Sequence, residues 1–175
     1  PIDDYDKFRE QFNPVNFDPD KIADLAEESG VHYMIFVTKH HDGFCFWDTK
    51  TTNYRITSPD CPFSVSQHAD VTRALFDAFR RKNISTSVYF SKPDWNSEYF
   101  WWSKFTTPDR NVNYNIEKHP DRWNKFIEFT HNQIDELSSN YGNLDILWLD
   151  GGWVQPLRQE DYIFSQTVDR LFRER

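Results

Sequence analysis

Three short stretches hold the residues able to do chemistry, and each closes an apolar run. The segment Leu147-Trp148-Leu149-Asp150-Gly151-Gly152 ends such a run with a carboxylate. Alternate side chains of an extended strand share a face, so Trp148 and Asp150 point one way and Leu147 and Leu149 the other, toward covering helices. A carboxylate at a strand mouth can attack an electrophilic carbon or pass a proton, and it can equally cap the following loop or helix. Two glycines directly after it allow a sharp turn and leave room for a ligand to approach.

The second stretch is Lys39-His40-His41-Asp42-Gly43-Phe44. Imidazoles there can donate hydrogen bonds to hydroxyls, shuttle protons or bind a metal. On a regular strand adjacent histidines face opposite ways, so a shared metal requires the strand to end before them. The third stretch is Val88-Tyr89-Phe90-Ser91, followed by Asp94-Trp95. Tyr89 shares a face with Ser87 and Ser91, a polar side suited to a site and also to a core tyrosine with a satisfied hydroxyl.

Elements that position these stretches follow from periodicity and punctuation. A helix is predicted over residues 18–29, with Asp18 as N-cap, Pro19 in the first turn, Ile22, Leu25 and Ala26 as its stripe and Gly30 as its stop. A second spans residues 69–82, with Val71, Leu75, Ala78 and Phe79 on one face and Arg80, Arg81 and Lys82 in the last turn, where cations complement the dipole. A third spans residues 120–141, carries Trp123, Ile127, Ile134 and Leu137, and stops at Gly142. A fourth is expected over residues 160–173. Strands are predicted at residues 31–38, 84–91 and 144–150, leaving long loops at 40–68 and 92–119.

Strict alternation of helix and strand implies a parallel sheet, and both long loops follow strands. A (β/α)8 TIM barrel and a doubly wound sheet both place their active sites there. GxGxxG and GxxxxGK[ST] motifs are absent, which disfavours the nucleotide-binding versions. The expected fold is therefore α/β, a partial barrel. A whole barrel takes about 250 residues, so residues 1–175 are read as part of one catalytic domain, with early and late strands missing.

Composition narrows the partners. A net charge of -8 argues against nucleic acid and against an anionic membrane, both of which need a basic footprint. Aromatic residues make up 18% of the chain, enough for a core and for platforms beneath the apolar faces of sugar rings. Cys45 and Cys61 stand 16 residues apart without a CxxC partner, so neither a zinc framework nor a disulfide scaffold is indicated. The polar start Pro1-Ile2-Asp3-Asp4 is not a signal peptide, and no apolar run reaches the length of a membrane span.

KHHDGF after one apolar strand, VYFSKPDW at the end of the next and LWLDGGW at the end of a third resemble, in that order, the α-L-fucosidase family of retaining glycoside hydrolases (family 29 type). The similarity runs from about Tyr5 to Trp153 and includes FNPVNFDPDKIADLAEESG and YGNLDILWLDGG. It implies a (β/α)8 catalytic barrel, removal of terminal α-L-fucose with retention, and no metal or organic cofactor. A fucosylated glycan or glycoconjugate would be the substrate. Asp150 would be the nucleophile, with His40 and His41 bonding fucose hydroxyls and Tyr89 and Trp148 lining the site. Export to a periplasmic, secreted or lysosomal compartment is also implied, while oligomeric state is left open.

The chain departs from that pattern at both ends. An earlier strand with a further sugar-binding histidine has no counterpart before Tyr5, and no general acid/base is assigned; Glu160 and Asp161 fall in the expected fourth helix. Retention needs two carboxyl groups about 5 to 5.5 Å apart. Asp150 should be the ionised one, its pKa kept low by hydrogen bonds and a protonated histidine. Two rival readings are a metal-dependent barrel hydrolase using His40 or His41 with Asp42 and Asp150, and a fucose-binding fragment without catalysis.

Overall fold

The computed structural model describes residues 2–106, 110–152 and 154. Three parallel strands, β1 (Tyr33–Lys39), β2 (Ser85–Ser91) and β3 (Leu147–Asp150), form one sheet in the order β1-β2-β3. Among the described residues four α-helices accompany them: α1 (Ile2–Tyr5), α2 (Pro19–Glu28), α3 (Val71–Arg81) and α4 (Pro120–Asn140). The alternation predicted from sequence is therefore present, with α3 linking β1 to β2 and α4 linking β2 to β3. The fourth expected helix lies outside the described residues.

Capping explains the helix boundaries. Asp18 accepts a hydrogen bond from the Lys21 N–H at 3.1 Å, and Asp70 does the same for Arg73 at 3.0 Å, each satisfying an orphan donor of a first turn. After α2 the chain reverses at Gly30, whose φ of +72° lies in the left-handed region.

One face of the sheet is packed. Val88 and Phe90 of β2 are fully buried there with Phe76 of α3 and Ile134 and Leu137 of α4, and Leu147 and Leu149 of β3 pack against them. A second cluster joins α2 and α3 through Ala23, Leu75, Ala78 and Phe79, with Phe44, Ile56 and Phe63 of the first long loop. On the opposite face Tyr33, Val37, Ile146 and Trp148 remain exposed.

β3 begins at Leu147, three residues later than expected. There the Asp145 N–H donates to the Thr86 carbonyl at 3.1 Å and the Ile146 N–H to the Ser87 hydroxyl at 3.1 Å, so regular pairing with β2 starts only at Leu147. A short N-terminal unit, α1 followed by a 3-10 turn over Asp6–Gln11, was not legible from periodicity. It is tied to the body by an Arg9–Asp60 ion pair at 3.0 Å and by the Asn96 amide donating to Asp6 at 2.9 Å.

Both long loops are ordered where described. Trp47, wholly buried in the first, donates through Nε1 to Glu136 of α4 at 3.0 Å. Phe100 in the second packs with Trp123 and Phe126 of α4. No helix among the described residues is long and apolar enough to cross a membrane.

Candidate active site

β1 and β2 run in register from Tyr33 opposite Ser85 to Val37 opposite Tyr89, after which Lys39, not Thr38, pairs with Phe90. The extra residue, Thr38, donates through its hydroxyl to the Tyr89 carbonyl at 2.8 Å. This shift turns Lys39 onto the helix-covered face with Phe90, where it is wholly buried. The strand then stops, so His40 and His41 are released from alternation and their ring centroids lie 4.3 Å apart.

Asp150 ends β3 opposite Ser91, and Trp148 sits opposite Tyr89. The Tyr89 hydroxyl donates to Oδ2 of Asp150, and the Ser91 hydroxyl donates to the Tyr89 oxygen at 3.3 Å. Nε2 of His41 stands 3.6 Å from the same Asp150 oxygen. His40 stacks on Tyr89 at 5.8 Å with only 2° between the ring planes, and the Trp148 ring lies 6.4 Å from that of Tyr89, tilted by 41°. All five residues singled out by sequence, Asp150, His40, His41, Tyr89 and Trp148, thus meet at one end of the sheet.

Their electrostatics favour the ionised form of the carboxylate. The Tyr89 hydrogen bond holds the Asp150 carboxyl below the usual range against an opposing effect of burial, and the Gly151 N–H, His41 and His40 add smaller stabilisation of the anion. Burial and then the Asp150 bond push the Tyr89 phenol up, so it remains a donor. Burial and neighbouring His40 push His41 below its ordinary value although Asp150 opposes them. Among the influences that stabilise the anion, the phenol is the largest.

Gly151 takes φ +87°, and a Cβ there would lie 2.4 Å from the Pro93 ring. The space expected for a ligand beside this glycine is filled by the turn after β2; beside Gly152 no atom of the described residues comes within 4 Å of a Cβ position. Donor atoms of His40, His41 and Asp150 lie within 4.8 Å of one another, a spacing that a metal ion could bridge. Asp42 is not part of that group; its carboxyl accepts from the Tyr5 hydroxyl at 3.5 Å and is pushed up by burial and by Asp94.

Sequence pattern alone assigns Trp95 no role. Its ring lies 5.2 Å from His41 and stacks on Trp101 at 5.1 Å, walling a cavity of about 640 Å³ beside His40. Lys92, nearly buried, senses the Asp150 charge. Both follow the end of β2 directly, which is the signal that could have marked them. Glu160 and Asp161, weighed and set aside as acid/base candidates, lie outside the described residues, as does Trp153.

Comparison with known proteins places this chain in a family. Alpha-L-fucosidase 1 of Arabidopsis thaliana is 27% identical over 154 residues, covering 88% of this chain and 26% of its own length. A Bacteroides thetaiotaomicron alpha-L-fucosidase GH29 structure superposes over 99% of this chain and 35% of its own, with a TM-score of 0.80 at 28% identity. A structure of that organism's enzyme as a trapped covalent intermediate with 2-fluoro-fucosyl fluoride matches 87% of this chain and 31% of its own, at 31% identity and a TM-score of 0.72. The chain thus spans about a quarter to a third of these relatives, and its α/β fold is that of their structures. The alpha-L-fucosidase family model matches residues 2–175, and the chain belongs to that family.

Proposed function

We propose that the protein carrying this chain removes terminal α-L-fucose from glycans by a retaining double displacement, with Asp150 as nucleophile. The observation that carries the reading is the Asp150 carboxylate, kept ionised by the Tyr89 hydroxyl and faced by His41 at the mouth of a parallel sheet. Asp150 attacks C1 while a second carboxyl group protonates the departing glycosidic oxygen, giving a covalent fucosyl ester with inverted configuration. The second group then takes a proton from water, which attacks C1, releases Asp150 and restores the α configuration. His40 and His41 bond ring hydroxyls, and the exposed Trp148 ring offers an apolar surface to the sugar.

The sheet in this reading is three strands of a (β/α)8 catalytic barrel. Support comes from the parallel order, the helix after each of the first two strands and the convergence of site residues at strand ends. The exposed apolar face of Tyr33, Val37, Ile146 and Trp148 is the face that further strands of a barrel would enclose.

Convergence of His40, His41 and Asp150 also favours a second reading, a divalent ion held by these donors that activates water. Turnover of an aryl α-L-fucoside by the full-length protein, with and without chelator, separates the two. Chelator-insensitive turnover is expected. Loss on chelation with recovery on adding zinc would favour the metal, and fucose binding without turnover would reduce the protein to a lectin-like binder.

A further inference from the structure

Lys39 and Asp94 form an ion pair at 3.1 Å with side chains 0% and 2% exposed. Each also has a second set of partners. Lys39 donates to the Gln133 amide oxygen of α4 at 3.0 Å and lies 4.3 Å from the centroid of the Phe90 ring. Asp94 accepts from the backbone N–H groups of Asn96 at 3.1 Å and Ser97 at 2.9 Å. Burying two such charges is costly, and well-packed neutral side chains often give equal or better stability. Stability alone is a poor account of the pair.

Its position offers a better one. Lys39 immediately precedes His40 and His41, and Asp94 immediately precedes Trp95. The Trp95 N–H donates to the His41 carbonyl at 2.8 Å, so the two turns touch two residues beyond Lys39 and one beyond Asp94. Gly43, which ends the histidine turn at φ +86°, lies so close that a Cβ there would sit 2.3 Å from Oδ1 of Asp94. The register shift at Thr38 is what places the Lys39 ammonium under Phe90 rather than on the face of Val37.

We propose that Lys39 and Asp94 are positioning residues, a buried clamp that fixes the turn after β1 to the turn after β2 and so sets His40 and His41 against Asp150. The clamp touches no substrate. Its effect on turnover rests on reading Asp150 and the two histidines as the fucose site, whereas its effect on the histidine rings does not.

The test is the double variant Lys39→Met/Asp94→Asn in the full-length protein, a neutral pair of similar shape. Melting temperature, kcat and KM for an aryl α-L-fucoside, and NMR signals of the histidine rings are measured. The clamp predicts a melting temperature within a few degrees of wild type and a kcat lowered about tenfold to a hundredfold by misplacement of the site. Signals of His40 and His41 should shift while those of His32 and His68 stay. Unchanged ring signals and kcat within twofold of wild type would overturn the proposal. Should the double variant not fold, Lys39→Arg, which keeps both charges but alters the reach and geometry of the donor, is measured with the same expectations for kcat and the ring signals, and failure of both to fold would assign the pair to stability and overturn it too. A wild type without fucoside turnover would refute the site reading alone, and the ring signals would still decide on the clamp.

Discussion

The two faces of the sheet do different work with neighbouring residues of the same strands. On one, Val88, Phe90, Leu147 and Leu149 interlock with α3 and α4. On the other, Tyr89, Trp148 and Asp150 meet one another across β2 and β3. A single residue step along β2 therefore separates core from chemistry, because side chains alternate. The apolar side chains of the packed side can be changed only at a cost in folding; the Lys39–Asp94 pair buried there is the exception. The open side can be changed with little cost in folding and a large one in function.

The largest effect on the packed side should come from Leu137→Ala on α4. Leu137 is 1% exposed within the cluster under β2, and such truncations cost about 2 to 5 kcal/mol of stability. Chemical denaturation of the full-length protein should register that loss, with kcat of the remaining folded fraction near wild type. A large fall in kcat at unchanged stability would break the division between faces.

A smaller structural effect, and a sharper functional one, is expected from Tyr89→Phe. Losing the hydroxyl removes the main influence holding the Asp150 carboxyl low, so its pKa rises. Less of it is then ionised at a given acidic pH, and the acidic limb of kcat/KM moves to higher pH. Stability should change by no more than about 1 kcal/mol, since the hydroxyl lies toward the open mouth. An acidic limb that stays in place would remove Tyr89 from control of the nucleophile.

Much of this division was legible in sequence. Apolar alternation in Leu147-Trp148-Leu149-Asp150 assigned faces that the structure keeps, and Asp18 bounds its helix as the N-cap read there. Less legible were features that depend on contacts between distant segments. The bulge at Thr38 leaves no mark on periodicity, yet it turns Lys39 inward and is followed by convergence of two histidines that alternation would have sent apart. Gly151 reads as room for a ligand until Pro93 is seen beside it. The late start of β3 goes with a hydrogen bond from the Ile146 N–H to the Ser87 hydroxyl. Likewise α1 is too short for a periodic signal, and its place is set by Asn96 and Asp60 far along the chain.

Asp150→Gly in the full-length protein, assayed on an aryl α-L-fucoside with sodium azide, tests the central claim most directly. Turnover without azide should fall by several orders of magnitude, because no group remains to attack C1. Azide should enter the space of the carboxylate, attack the same face and restore turnover. The product should be β-fucosyl azide, inverted once relative to the substrate. Turnover near that of wild type without azide, or an azide product of α configuration, would contradict Asp150 as the covalent nucleophile.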